Sequence, residues 1–228
     1  MKKLSWILVP FAITYGGIVA LRNLLFDLKI LPTQTPVIPS IGIGNLNVGG
    51  TGKSTLVDYL ITYYKQKKTP LVLSRGYKRK TRGVIIANGK SSAMTIGDEP
   101  YQFFSKHKIG VVVCEKRKEG LDFIMQKKSK PDIIIFDDLM QHRYITPHCL
   151  ITTTSFNQIF FDDHLLPLGR LREHTSQIKR ANIILVTKCP NDLTRHDQLE
   201  IKRKINPFSY QKVFFTKLDY GKNIINKI

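Results

Sequence analysis

A chain of 228 residues that is 42% hydrophobic and 10% aromatic carries enough apolar side chain for one substantial core, which excludes a disordered polycation and favours one medium domain with an appendage over two full domains. Its 36 Lys and Arg against 17 Asp and Glu leave a formal charge of +19, which favours anionic partners such as nucleotides, phospholipid surfaces or nucleic acid without choosing among them. Cys114, Cys149 and Cys189 are odd in number, far apart and without a Cys-x-x-Cys pair, which argues against a disulfide framework or a zinc knuckle and for a reducing compartment.

The first predicted element is the uncharged run 4–21, which at 18 residues reaches the lower limit for a membrane-spanning helix. Lys2 and Lys3 precede it as in a secretory signal, but the apolar stretch is long and no small-x-small cleavage site comes after it. A simple span with both lysines held inside would carry everything after Arg22 across the membrane. Pro10, Gly16 and Gly17 would allow bending, so the favoured reading of residues 1–31 is an interfacial membrane-associating helix, with a buried core helix as the alternative.

Pro32, Pro36 and Pro39 then break the helix, and residues 32–228 alternate short apolar runs with helical stretches, the pattern of βα units around a parallel sheet. Strands are predicted at 37–44, 71–74, 109–114, 133–137, 149–153, 183–187 and 213–216. Helices are predicted to begin near Lys53, Pro100, Lys116 and Leu193, and 83–89 reads as a short hairpin. The fold class is α/β, a mostly parallel sheet flanked by helices, with an apolar N-terminal helix appended.

The segment from Asn47 to Ser54 comes directly after one of these strands and leads straight into an apolar helical pattern. Strand, glycine-rich loop and helix in that order, ending Gly-Lys-Ser, are the context a phosphate-binding loop requires. Glycines let backbone N–H groups curl around phosphates at a helix N-terminus, Lys53 adds a point charge, and Ser54 offers a hydroxyl to Mg²⁺. Val48, Gly49, Gly50, Thr51, Gly52, Lys53, Ser54 and Thr55 are therefore the candidate contacts of Mg-ATP. Asn47 stands where the usual pattern has its first glycine, and asparagine tolerates left-handed backbone angles better than most residues. A site of this kind needs a carboxylate at the end of a neighbouring strand, and Asp137 with Asp138 ends the apolar run from Ile133.

Gly44-Asn45 with Val48-Gly49-Gly50-Thr51-Gly52-Lys53 resembles the signature loop of the tetraacyldisaccharide 4'-kinases, a family that also lacks the first glycine. The likeness continues in order through Leu73 to Tyr77, Gly97 to Pro100, Asp137-Asp138 with Gln141-His142, Leu165 to Pro167 with Gly169 to Glu173, and Lys179 to Lys188. The resemblance implies transfer of the ATP γ-phosphate to the 4'-hydroxyl of a tetraacyldisaccharide 1-phosphate, a lipid A precursor, at the cytoplasmic face of the bacterial inner membrane. It implies that Asp98 activates the acceptor hydroxyl, beside Lys53 and Arg172, and that Glu99, Asp137 and Asp138 join Ser54 in serving Mg²⁺. Ser74, Arg75, Tyr77, His142 and Arg170 are carried over as candidate acceptor contacts.

Without the resemblance, Gly97-Asp98-Glu99-Pro100 reads as a helix start with Asp98 as its cap and Pro100 in the first turn. Arg75, Lys78, Arg79, Lys80 and Arg82 place five positive charges in eight residues, suited to a sugar phosphate or an anionic bilayer, or simply a solvated loop. Arg170 and Arg172 are candidates for steadying a transferring phosphoryl group, since guanidinium donors match its oxygens in pairs. The adjacent Asp162, Asp163 and His164 read as structural. No aromatic-basic recognition motif is present, so nucleic acid is not an expected partner. Members of the resembled family continue past the position of Ile228 into a lobe whose Asp-His-His segment works with the catalytic aspartate, and none of the chain's histidines stands at that position. The expectations are a fragment, a shortened kinase, or a remnant that binds nucleotide only.

Overall fold

A computed structural model describes residues 5–218, and Lys2, Lys3 and Leu4 of the predicted N-terminal segment lie outside the described residues. Helix α1 (Ser5–Asp27) runs unbroken through Pro10, Gly16 and Gly17, where bending was expected. Ala12, Val19, Asn23 and Phe26 recur at helical spacing and are buried against the domain, whereas Trp6, Ile7, Phe11, Ile13 and Ile18 point to solvent, Trp6 with 80% of its surface exposed.

The rest of the domain is built on strands β1 (Ser40–Gly44), β2 (Pro70–Ser74), β3 (Ile85–Ile86), β4 (Gly110–Val113), β5 (Ile133–Phe136), β6 (Cys149–Ser155), β7 (Ile183–Thr187) and β8 (Lys212–Phe215). Its helices are α2 (Lys53–Lys65), the single turn α3 (Ala93–Ile96), α4 (Asp98–His107), α5 (Arg117–Gln126) and α6 (Arg195–Ile205). The strands form one sheet in the order β3-β4-β2-β5-β1-β6-β7-β8. Every pairing is parallel except that of β3 with β4. Continuous apolar runs are what a parallel sheet covered on both faces demands, and Ile133 through Phe136 are all buried.

Alternation along the strands sorts the core into two layers. Ile43, Val72 and Ile135 pack with Val57 and Ile61 of α2 and Phe103 of α4. Leu73, Val112, Ile134 and Phe136 face the other way, onto Leu121 and Ile124 of α5. Each such side chain, taken fully out of water, contributes about 1.5–3 kcal/mol. A third cluster under β6 and β7 joins Leu46, Met140, Phe160, Leu171, Ile184 and Val186. This cluster seats the 160–172 segment beneath the loop after β1.

Three local expectations need correction. The strand predicted at 37–44 begins only at Ser40, because Pro39 has no N–H to give to a ladder, and Val37 is exposed. The 83–89 segment is not a self-paired hairpin; its two-residue strand lies antiparallel on β4, with Ile85 opposite Val113. Asp98 does not cap α4. Gly97 is the cap, at φ 93° and ψ 157°, and Asp98 is the first helical residue, with Pro100 in the first turn as expected. Glycine is required there because a Cβ would stand 2.9 Å from both the Gly76 carbonyl carbon and the Tyr77 oxygen.

Gly44, the last residue of β1, meets the turn after β5 so closely that a Cβ would lie 2.6 Å from Met140 Cβ and 2.7 Å from its backbone nitrogen. Gly44→Ala is expected to cost about 1–3 kcal/mol by overpacking two segments that cannot move apart. Urea denaturation checks this, and an unchanged midpoint would mean that the contact yields.

Candidate active site

Adjacent parallel strands bring their C-terminal ends to one edge of a sheet, and β1 lies between β5 and β6. The register pairs Gly42 with Phe136 and Gly44 with Thr152, so the segments that leave these three strand ends emerge side by side. After β1 the loop turns through Gly49 at φ 118° and Gly52 at φ 82°, both left-handed positions that suit glycine, and enters α2 at Lys53. Val48 N–H donates to Arg170 O at 2.7 Å and Arg172 N–H to Leu46 O at 2.7 Å, so the 170–172 segment zips onto the loop's entry. Asn47 Nδ2 donates to Asp163 Oδ2 at 3.1 Å. Asp163 Oδ1 accepts from the backbone of His164 and Arg170. That part of the acidic-histidine cluster is thus structural, and among the described residues no group of three His, Cys, Asp or Glu is placed to hold a metal.

Thr51 ties the loop to three strand ends. Its hydroxyl meets Thr153 Oγ1 at 2.8 Å and accepts from Asn45 Nδ2 at 2.9 Å, while its carbonyl accepts from Thr187 Oγ1 at 3.0 Å. The seven residues Gly49 to Thr55, with Glu99 and Lys188, line a cavity of about 270 Å³. An apolar cavity of about 490 Å³ lies at the loop's exit, walled by Thr55, Tyr59, Lys188, Phe214, Phe215 and Leu218.

Beside the loop stands a cluster of charge. Arg172 makes a two-pronged pair with Asp138, Nη2 to Oδ1 at 3.0 Å and Nη1 to Oδ2 at 3.2 Å. Lys53 Nζ lies 3.6 Å from Asp138 Oδ1 and donates to Asn45 Oδ1 at 3.1 Å. Arg172 Nη2 also donates to Asn45 Oδ1. Asp138 sits at φ 52°, a left-handed turn that directs its carboxylate away from the line of β5. Although burial opposes ionisation, the hydrogen bonds and charge of Arg172, then Lys53 and Arg117, hold its carboxyl down at about 2.

Its neighbour Asp137 behaves oppositely. It is nearly fully buried, accepts from Ser74 Oγ at 2.8 Å, and is pushed up to about 6 by burial first and by the Glu99 and Asp138 charges next. Ser54 Oγ donates to Glu99 Oε1. Ser54, Glu99 and Asp137 therefore gather hard oxygen donors at the loop with a surplus of negative charge, the donor set that suits Mg²⁺ completed by phosphate and water. Asp138, placed with them by sequence, has both oxygens engaged by Arg172 and Lys53.

Other candidates fall into place around this centre. Gly97 backs onto Gly76 and Tyr77, and Glu99 reaches Ser54, so Asp98 stands between the Arg75–Tyr77 turn and the phosphate loop. Arg75, Tyr77 and Asp98 are exposed, whereas the Ser74 hydroxyl is turned inward onto Asp137. His142 is held down at about 3 by burial first and by Arg117 next, so it is neutral at pH 7. Arg170 points to Gln158 Oε1 at 2.5 Å rather than to Asp138, leaving Arg172 as the arginine beside Lys53. Of the five cations in 75–82, Arg79 is withdrawn from solvent and pairs at 2.7 Å with Glu115, whose carboxylate stays partly exposed.

Several residues of the site have no role assignable from sequence, although Asn45 and Lys188 fall within the family-like segments. Asn45 bridges Lys53, Arg172 and Thr51, yet asparagine after a strand is commonplace. Arg117 is 2% exposed and donates to the carbonyls of Cys114 and Asp137 from beneath the acidic pair. It lies in a lysine-rich stretch, and nothing in the sequence marks it for burial. Lys188 reaches over the loop, its Nζ 3.7 Å from where a Gly50 Cβ would be.

A parallel sheet with this loop between a central strand and its helix, and an acidic turn on the next strand, defines a P-loop α/β protein of the kind that handles nucleotide phosphates. The family model described as tetraacyldisaccharide-1-P 4'-kinase matches residues 4–223, and the chain belongs to that family. The tetraacyldisaccharide 4'-kinase of Flavobacterium psychrophilum is 45% identical over 98% of this chain and 66% of its own length. That of Flavobacterium johnsoniae is 43% identical over 100% and 67%. Among solved structures, LpxK from Aquifex aeolicus in complex with ATP superposes with a TM-score of 0.76 at 33% identity, covering 93% of this chain and 64% of that one. The chain thus spans about two thirds or less of the length of the relatives it matches.

The opposed shifts of the two aspartates make a pH signature. A carboxyl raised in the folded state weighs against folding once ionised, so the Asp137 penalty is absent below about 3.8 and complete above about 6. Asp137→Asn is therefore expected to leave stability unchanged near pH 3.5 and raise it by roughly 1–3 kcal/mol at pH 8 without Mg²⁺. Paired urea titrations at the two pH values check this; an equal difference at both would show that Asp137 ionises normally.

Proposed function

We propose that the chain transfers the γ-phosphoryl group of Mg-ATP to the 4'-hydroxyl of a tetraacyldisaccharide 1-phosphate. The observation that carries this reading is the convergence of Lys53 and Arg172 on Asp138 at the lip of a glycine loop, in a chain of this family. Loop amides and Lys53 bind the β- and γ-phosphates, and the base enters the apolar cavity at the loop's exit under Lys188. Ser54 and Asp137, with Glu99 beside them, are the residues that would hold Mg²⁺, which neutralises charge on the phosphates when bound.

Chemically, the acceptor oxygen attacks the γ-phosphorus, the bond from that phosphorus to the bridging oxygen breaks, and ADP leaves. Asp98 accepts the hydroxyl proton, and Arg172 meets the equatorial oxygens of the transferring group. Asp138 holds Lys53 and Arg172 together until the polyanion arrives. Arg75 and Tyr77, exposed on the Asp98 side, are the nearest candidates for acceptor contacts, with His142 deeper and Arg170 farther along the same edge.

Support for a membrane-borne acceptor comes from α1, which is long and apolar enough by length and composition to cross a membrane. Its polar residues Arg22, Asn23 and Asp27 are bonded to the domain, so we propose that the exposed apolar face, dominated by the first half of the helix, enters the cytoplasmic leaflet while the remainder stays docked. Exposed Lys78, Lys80 and Arg82 suit an anionic surface.

Protein in detergent is assayed for transfer and, by titration calorimetry, for Mg-ATP affinity. Lys53→Ala is expected to lose both, while Asp98→Ala keeps its affinity and loses roughly a hundredfold to ten-thousandfold in rate. Retained affinity with no transfer by the unaltered chain would reduce it to a nucleotide-binding module, and no affinity at all would end the assignment.

A further inference from the structure

Among the carboxylates with no part in the proposed phosphoryl transfer, Glu173 is set apart by its burial. Glu173 is completely buried, next in sequence to Arg172. Its Oε2 accepts from Asn23 Nδ2 at 2.7 Å, and its Oε1 faces the Arg22 guanidinium at 3.5 Å with no hydrogen bond of its own among the described residues. A buried carboxylate with a single good hydrogen bond is costly unless what it holds matters.

The same stretch of α1 also grips the turn that carries Asp138. Arg22 Nη2 donates to Gln141 O, and Gln141 Nε2 in turn donates to Asn45 O at 3.0 Å. Arg143 Nη1 donates to the Asn23 backbone oxygen at 2.9 Å and to Asn23 Oδ1 at 3.1 Å, and its Nη2 pairs with Asp27 at 2.5 Å. Eight residues before Asn23, roughly 12 Å along the helix, Tyr15 OH donates to Arg172 O at 2.9 Å. Both backbones that present the Arg172–Asp138 pair are thus fastened to one face of one helix, the helix whose other face is apolar and exposed.

We propose that Glu173, through Asn23 and Arg22, is a positioning residue for Arg172, and that α1 is part of the frame of the phosphoryl-transfer site as well as its attachment to lipid. The proposal rests on the kinase reading for its consequence in rate, but not for the geometry. Tyr15 and Asn23 fix the height and rotation of the 172–173 segment, and the 141–143 turn is set by Arg22, Asn23 and Asp27 of the same helix. A side chain that must meet a phosphoryl oxygen tolerates little displacement, since about 1 Å of misplacement costs on the order of a hundredfold in rate.

The test uses the full chain in detergent micelles with ¹⁵N-labelled arginine. Three quantities are read: transfer kinetics, Mg-ATP affinity by calorimetry, and the Arg172 Nε–Hε signal, assigned by its absence in Arg172→Lys. Glu173→Gln is expected to lower kcat roughly tenfold to a hundredfold with Mg-ATP affinity changed less than about twofold, and to broaden the Arg172 signal. Combining it with Asn23→Asp reverses donor and acceptor across the same contact and is expected to restore both. If Glu173→Gln does not fold, Tyr15→Phe and Asn23→Ala are read in its place, with the same directions. An Arg172 signal and kcat unchanged in these variants overturn the proposal. Should the unaltered chain transfer no phosphate, the kinase reading falls, and the Arg172 signal alone decides: loss with rescue by the double variant supports the brace, and persistence refutes it.

Discussion

Lys53 and Arg172 carry like charges into one small space, and Asp138 is what allows them to stay there before a polyanion arrives. In the part-buried setting of the loop their repulsion is poorly screened, and the two-pronged Arg172 pair with a lysine on the same carboxylate offsets it. Buried ion pairs of this kind contribute little net stability against a well-packed apolar alternative. Their use is placement. Much around the cluster serves to hold these few atoms: the left-handed turn at Asp138, the shared acceptor at Asn45, the close approach of Gly44 to Met140, and the segment zipped along the loop's entry.

Asp137 and Asp138 are adjacent in sequence yet are driven apart, one toward about 6 and the other toward about 2. Environment alone separates them. Asp137 remains in line with its strand, where it is buried between Ser74 and the Arg117 that holds its backbone oxygen, and its carboxylate is left with a nearby carboxylate and, among the described residues, no cation paired to it. Asp138 turns out of line and finds two cations. Pairs of titratable groups split in this way divide the work of a site, and the division suits a divalent cation on one side and a phosphate clamp on the other.

The basic character of the chain also divides once positions are known. Arg117, Arg143 and Arg180 are drawn inward to carbonyl oxygens, and Arg79 to Glu115, so a considerable share of the arginine holds backbone turns rather than facing a ligand. The lysines and arginines at 75, 78, 80 and 82 remain on the surface. Helix α1 shows the same double use. Ala12, Val19 and Phe26 seat it apolarly, Arg22 and Asn23 seat it through polar bonds to the segments that carry Asp138 and Arg172, and Trp6, Ile7, Phe11, Ile13 and Ile18 are left exposed.

Local order in this protein was legible because local chemistry suffices for it. Short continuous apolar runs at 133–136 and 183–186, bounded by polar and turn residues, favour strands in the interior of a sheet, a glycine loop ending in Lys53 and Ser54 favours a helix starting there, and α2, α4, α5 and α6 begin within two residues of where turn and charge patterns placed them. The seven principal strands were foreseen, with their ends moved by three residues at most. What no spacing in the chain could state is which residues meet across long separations. Asn45 with Arg172, Asn23 with Glu173, and Arg117 beneath Asp137 join segments 20 to 150 residues apart, and each depends on strand order, which is a property of the whole sheet. The sequence by itself determined the loop, the strands and the apolar helix, because those arise from steric and solvation preferences of neighbours. Only the tertiary structure decided that Asp138 pairs with Lys53 and Arg172, that Gly97 rather than Asp98 caps its helix, and that the N-terminal helix is bonded to Gln141 and Glu173, because those arise from packing of surfaces that are remote in the chain.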